Sequence, residues 1–327
     1  MRYTRFIPLS IGALLLLVIS LVAVALPTTA AFPVRNGLIA FWGGDQQSNA
    51  QIYVMNPDGT GITKVSQDPN AFDALPRWSP DGSELVFSRF VGKPPLNLYR
   101  MNADGSNIVR LTNSPDTSDL FAAWTAGGRQ IVFTRAPLNS TGAGCAAGST
   151  IWIVNSDGSG LRQLTPNSFI ACMPATSPVG SKIAFSASFD QGFTFQIYTM
   201  NLDGSGLRRL SPRVTGFDFR PNWSPDGESL VFLNGPMPGV PYEAIWVMGI
   251  DGSDRHQLVL PSPSWDNPAW SPDGRFIVDD TCTDDHNSPA PCHIWVFTRD
   301  GTSRTQLTFR TVGFDSNADW QPISSEG

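Results

Sequence analysis

An apolar run closed by Asp-Gly recurs six times along this chain, and a repeat of that kind dictates architecture before any single residue does. The turn aspartates are Asp58, Asp104, Asp157, Asp203, Asp251 and Asp300, a period of 46 to 53 residues. Ahead of them lie Ile52 to Met55, Leu98 to Met101, Ile151 to Val154, Ile197 to Met200, Ile245 to Met248 and Ile294 to Phe297. A second block, Trp-Ser-Pro-Asp-Gly, is intact from Trp78, Trp223 and Trp270 and degraded at Trp124 and Thr176. It survives near the end as Trp320-Gln321-Pro322. Every copy but the last is followed by a short apolar run such as Leu85-Val86-Phe87 or Ile131-Val132-Phe133.

Each landmark has a backbone meaning. Ser-Pro-Asp-Gly suits a type I turn, with Pro presetting φ at the second position and Gly at the fourth. Asp-Gly between apolar runs is a short hairpin signal. One unit is therefore four short antiparallel strands: a ends at the Trp, b is the Val-Phe run, c is the Ile-Tyr/Trp run and d is the Leu-Thr run (Leu111-Thr112, Leu164-Thr165, Leu307-Thr308). Repeated radially, such units make a propeller. The chain opens with strand b at Leu38 to Trp42 and stops after a lone strand a at Asn317 to Gln321. The expected fold is all-β: a six-bladed propeller of four-stranded antiparallel blades, its ring closed by C-terminal strand a pairing with N-terminal strands b, c and d. Closure of this kind removes exposed edges.

These blocks resemble the WD40-like PD40 repeats of the TolB-like six-bladed β-propellers. The Trp-Ser-Pro-Asp-Gly blocks and the Ile-Tyr-Val-Met-Asn-x-Asp-Gly blocks, with Asn56, Asn102, Asn155 and Asn201 before their turns, carry the match over Asn36 to Pro322. The resemblance specifies fold more than function, because related propellers serve as envelope scaffolds, peptidase gates and parts of sugar-processing enzymes. The α/β domain that precedes the propeller in TolB has no room here.

The N-terminus carries the one strongly biased segment. Arg2 and Arg5 precede an apolar run from Ile11 to Leu26 and then small residues at Thr28 to Ala31. Residues 1–30 read as an export signal, with an uncleaved membrane anchor as the competing reading, and 31–327 as the propeller. The expected location is extracytoplasmic, secreted or periplasmic, with membrane contact only through that segment if it is retained. Cys145, Cys172, Cys282 and Cys292 behind an export signal suggest two disulfides, one inside the loop between Cys282 and Cys292 and one between neighbouring blades. With 22 basic against 28 acidic residues the net charge is −6. A nucleic-acid partner is not expected, and a monomer is.

In a propeller the a–b and c–d turns share one face and the b–c and d–a connections share the other. Here the first face has only tight turns, while the second carries Arg89 to Pro95, Ala136 to Ser149, Phe189 to Phe193, Asn234 to Glu243 and Asp280 to Cys292. Long loops commonly carry recognition, so the long-loop face is the expected binding face. Five residues before the strand-a Trp stand Asp73, Asp119, Asp218 and Asp315, with Asp266 one step later in its unit and Ala171 in the odd unit. If strand a lines the channel, these five carboxylates ring its mouth and favour a cation or a basic protein or peptide partner. The alternative is that each Asp only satisfies backbone donors where a loop enters a strand. Trp42 and Trp265 fall outside the repeated positions and are candidate loop-face contacts.

Asp279, Asp280, Asp284, Asp285 and His286 read as one acidic loop, either solvated or holding calcium through Asp280, Asp284 and Asp285. No other cofactor is expected. There is no Gly-x-Ser-x-Gly elbow and no P-loop. His256, His286 and His293 show no metal spacing. Binding is thus favoured over catalysis, the enzymatic alternative being a polysaccharide lyase or glycosidase using channel carboxylates.

Overall fold

The computed structural model describes residues 34–45, 49–138, 145–189, 194–212, 216–235, 243–262, 267–282 and 291–324. Phe32–Gly327 forms one unit, separate from Met1–Ala31, and the export segment lies outside the described residues. The first blade takes strand a from the C-terminus, Phe314–Ser324, and strands b to d from the N-terminus: Val34–Gly44, Gln51–Met55 and Thr63–Lys64. The second blade is Ala71–Trp78, Glu84–Val91, Asn97–Asn102 and Val109–Arg110; the third is Thr117–Trp124, Gln130–Pro137, Thr150–Asn155 and Arg162–Gln163. The fourth is Ile170–Thr176, Lys182–Ser188, Gln196–Asn201 and Arg208–Arg209, and the fifth is Phe217–Trp223, Ser229–Gly235, Glu243–Gly249 and His256–Ser262. Ala269–Trp270, Phe276–Cys282, Cys292–Thr298 and Arg304–Gln306 make the sixth. Every a–b, b–c and c–d pair is antiparallel, as the turn chemistry requires.

A small sheet of this kind cannot bury both faces by itself, so the core lies in the seams between blades. Strand b supplies Phe41, Phe87, Phe133, Phe185 and Phe232, all fully buried. Each is worth about 1.5–3 kcal/mol in apolar burial. In the seam between the first and second blades, Ala40, Ile52, Val54 and Val65 meet Trp78, Leu85, Phe87 and Met101.

The Asp-Gly turns lock these seams. Gly105 has φ +85, and a Cβ there would stand 2.0 Å from the carbonyl oxygen of Val65 in the preceding blade. Gly158, Gly204, Gly252 and Gly301 meet Leu111, Leu164, Leu210 and Leu258 in the same way. Gly59 completes the circle against the Leu307 carbonyl oxygen of the sixth blade. The turn needs positive φ and the seam needs the missing side chain, so glycine is required twice over. The aspartates are turn formers: Asp58 accepts the N–H (2.9 Å) and hydroxyl (2.6 Å) of Thr60. Those bonds hold its carboxyl below the ordinary value. The hydroxyls of Thr298 and Thr302 bring Asp300 down to about 2.

The Leu-Thr runs lie just past strand d rather than within it. Their hydroxyls, from Ser66, Thr112, Thr165, Ser211 and Thr308, accept the N–H of Ile52, Leu98, Ile151, Ile197 and Ile294 at 2.8 to 3.0 Å. This bond replaces a ladder partner and ends the strand after two or three residues.

Closure occurs as the two chain ends suggest. Trp320 lies opposite Ile39 and Asp315 opposite Gly43 in the antiparallel pair of C-terminal strand a with N-terminal strand b. The inner strands touch in cyclic order, the first blade's meeting those of both the second and the sixth. Removing Ser316–Gly327 should therefore lower the melting temperature by at least roughly 10 °C and expose the edge of Val34–Gly44. Calorimetry that found the truncated and full-length chains melting together would break the closure.

Candidate functional site

Strand a carries one extra residue in each of the first five blades. Opposite Ser88 to Val86 the inner strand runs from Ala74 to Arg77, and the same bulge recurs in the third, fourth and fifth blades. The bulge residue is left-handed in every case: Leu75 (φ 58), Phe121 (φ 52), Met173 (φ 54) and Arg220 (φ 57), with Asn317 (φ 52) in the first blade. Non-glycine residues rarely adopt this conformation, so the surroundings must hold it. Three of these N–H groups bond to the preceding blade: Met173 to the Thr134 hydroxyl (2.8 Å), Arg220 to the Ser186 hydroxyl (3.0 Å) and Asn317 to the Asp280 carboxylate (2.9 Å).

The bulge decides where the strand-a aspartates point. Strict alternation puts a residue five positions before the Trp on the opposite face, but one inserted residue returns it to the same face. Asp73, Asp119, Asp218 and Asp315 are 0, 0, 2 and 1% exposed, set in the seams. Each also has a cationic partner. Arg89 holds Asp73 through two bonds of 2.5 and 2.7 Å, and Arg135 holds Asp119 at 2.7 and 2.9 Å. Asp218 accepts from Arg255 (2.8 Å) and Asn234 (2.7 Å), and Asp315 pairs with Arg310. The four guanidiniums lie over strand-c aromatics: Arg89 over Tyr99, Arg135 over Trp152, Arg255 over Trp246 and Arg310 over Tyr53. At these positions the expected open ring of repelling carboxylates gives way to Asp–Arg–aromatic stacks that cancel their own charge inside the seams. Asp266, the fifth member, and Trp265 lie outside the described residues.

The fourth blade shows the same site without charge. Ala171 stands opposite Ala187 where the third blade sets Asp119 opposite Arg135. Phe169, Phe189 and Tyr198 stack in the vacated volume, with centroids 4.1 and 4.9 Å apart. Acid and base are lost together, as an uncompensated buried charge demands. The seam is instead tied by the Cys145–Cys172 disulfide, while Cys282–Cys292 joins strands b and c of the sixth blade. Both expected pairings are present.

The acidic stretch of the sixth blade differs from the expected loop. Asp279 and Asp280 lie within strand b, Asp279 at the level of the core Phe of other blades, and both are buried. Asp279 accepts the N–H of Asn267 (2.8 Å) and of Asp280 (2.7 Å). Asp280 is the seam acceptor for the N–H of Asn317. Asp284, Asp285 and His286 lie outside the described residues, and among the described residues no cluster of three acids, histidines or cysteines is placed to hold a metal. Burial pushes the Asp315 carboxyl up, against the pull of Arg310, and pushes the nearby His293 imidazole down.

Trp42 is half-buried at the long-loop end of strand b. Its ring meets Phe314 at 4.7 Å and Phe72 at 5.6 Å, and Phe72 stacks on Phe90 at 5.0 Å. The row runs across the seam of the first two blades and continues into exposed Val91. The indole N–H of Trp42 has no acceptor among the described residues.

The family model described as the TolB beta propeller domain, PD40, matches residues 142–324. The chain belongs to that family. Among solved structures, TolB from Acinetobacter baumannii superposes with a TM-score of 0.72 at 18% identity, over 87% of this chain and 66% of that one. This TolB-like chain thus spans slightly under two thirds of that protein's length. An oligogalacturonate lyase in complex with manganese gives 0.57 at 16% identity, over 81% of this chain and 72% of the other. A chain of a nidogen/laminin complex gives 0.65 at 12% identity, over 87 and 98%. At these identities the likeness shows fold alone. No curated protein sequence matches this chain.

Two outcomes follow from the seams. Arg135→Ala strands the Asp119 carboxylate and should cost about 3–5 kcal/mol, while Asp119→Ala with Arg135→Ala should cost less than the two single changes summed. Additive losses in denaturant unfolding would remove the coupling. Asp319 accepts the N–H of Trp78 at 2.8 Å, and burial, opposed by Arg77, pushes its carboxyl above 3.8. A carboxyl raised in the fold binds its proton more tightly there than in the unfolded chain, so stability falls as pH rises through the raised value. Asp319→Asn keeps an acceptor and removes that charge. It should melt no lower than wild type at pH 7, with the difference vanishing towards pH 4; a gap that widened on acidification would reverse the assignment.

Proposed function

We propose that this TolB-like chain is an extracytoplasmic binding or scaffold propeller that recognises a protein or peptide on its long-loop face. The observation carrying this reading is the aromatic row Phe314–Trp42–Phe72–Phe90. Half-buried aromatic side chains at a surface are the usual anchors of an interface. The tight-turn face offers less, because its carboxylates and hydroxyls bond to their own turns. The net charge of −6 favours a basic partner by long-range steering, although the seam aspartates contribute little once neutralised. The two disulfides fit an oxidising compartment, whether the N-terminal segment is cleaved or retained.

Glycoside hydrolysis by channel carboxylates needs a carboxyl pair free to exchange protons. The described strand-a carboxylates hold guanidiniums instead, so binding is the reading the geometry supports. Affinity capture from an envelope extract, with wild type beside Trp42→Ser and Phe90→Ser, tests it. Loss of the partner from both variants by about 10-fold or more, at unchanged melting temperature, is the expected result. Full retention by both would move the site off this face.

A further inference from the structure

The outer strand of each blade is its free edge. In the first four blades that strand is two residues long, and in the sixth it is three. Lys64, Arg110, Arg162, Arg208, Arg209 and Arg304 stand in them. Very short, charged edges are how sheet proteins avoid recruiting other strands. The fifth blade departs on both counts. Its outer strand, His256–Ser262, has seven residues with neither Lys nor Arg. Pro261 confines the unrestricted stretch to His256–Leu260.

The cause is one side chain. Where the other five blades place a Ser or Thr hydroxyl against the strand-c N–H, the fifth places Val259 opposite Ile245. Without the hydroxyl the pairing runs on past Val259 to Ser262, with a register shift on either side of the Ile245–Val259 pair, and a β-branched residue favours its continuation. Among the described residues this strand pairs with Glu243–Gly249 alone, which leaves its outer backbone row without a partner strand there. The sixth blade meets it at the Leu258 carbonyl, beneath Gly301.

A cavity of about 560 Å³ opens at the upstream end of this strand, between the fifth and sixth blades. Glu228, Asp251, Asp254 and His256 bound it on one side, Trp270 and Arg299 on the other. Asp251 is held by its own turn through the N–H of Ser253 (2.9 Å), which leaves Glu228 and Asp254 as the carboxylates lining the cavity with Arg299, whose guanidinium lies 5.6 Å over the Trp270 ring. Trp270 is 8% exposed, and its indole N–H has no acceptor among the described residues.

We propose that the outer edge of the fifth blade takes an extended peptide segment bearing Lys or Arg as an added strand, one cationic side chain entering the cavity beside Trp270. Main-chain bonds along His256–Leu260 supply affinity, and the carboxylates choose the charge of the guest. This site is separate from the aromatic row of the long-loop face and stands or falls independently of it.

The test uses the whole chain and a labelled peptide of about nine residues alternating Lys and Val, read by fluorescence anisotropy, beside its Glu–Val counterpart and a backbone N-methylated copy. Saturable binding of the Lys–Val peptide alone is expected. Val259→Thr, which restores the hydroxyl and keeps the shape, should weaken it about 10-fold or more at unchanged melting temperature, as should Asp254→Lys. Phe90→Ser should leave it untouched. Equal binding of the Glu–Val or N-methylated peptide overturns the proposal, as does no binding at all. Indifference to Val259→Thr does so too. A dimer in sedimentation that dissolves on Val259→Thr would assign the edge to a second copy instead.

Discussion

The contact on which this fold depends is the close approach of one blade's Asp-Gly turn to the outer backbone of the blade before it. Four short strands bury too little to stand alone, so every blade borrows its neighbour's face. The approach at Gly105 and Val65, 2.0 Å from an imagined Cβ, leaves no volume for a side chain. Repeated from Gly59 to Gly301, it sets each blade against the one before it around the circle. The closing strand Phe314–Ser324 then has one place to go, against Val34–Gly44.

The seams also explain the unusual polar content of the interior. A bidentate Asp–Arg pair is a costly way to fill space, because both charges leave water. Here each guanidinium recovers part of that cost by stacking on a strand-c aromatic, 4.5 Å from the Trp152 ring for Arg135. The fourth blade solves the same problem with Phe169, Phe189 and a disulfide. Both solutions fill one seam volume and leave no net charge in it.

The sequence pattern made blades, turns, closure and disulfide pairing legible, because turn chemistry and period are local and repeat. It misled at Asp73 and its equivalents. The period counts residues but does not show a bulge, and the extra residue at Leu75 or Phe121 turns the aspartate from the channel into the seam. A signal was present in strand b, where Arg89 and Arg135 stand two residues beyond the buried Phe, and in the joint change to Ala171 and Ala187. Asp279 and Asp280 were misplaced for a related reason: consecutive acids read as loop, yet tertiary acceptors for the N–H of Asn267 and Asn317 are what strand b of the sixth blade needs. The edge at Val259 was legible in principle as a missing Ser or Thr in a repeated column.

Repetition therefore separates scaffold from function by a physical criterion. Where a copy departs from the repeat and the seam compensates, as at Ala171 with Ala187, the departure is another way of packing. Asp279 in place of the core Phe belongs to the same class, since its carboxylate takes up two backbone N–H groups. Val259 and the Trp42 row differ in kind. Val259 removes a hydroxyl that stops a strand, and Trp42 extends an aromatic row across a seam towards exposed Val91. Departures that leave a strand edge or an apolar row open to the outside are disadvantageous for a lone propeller. They make sense in one that spends part of its existence with another chain against it.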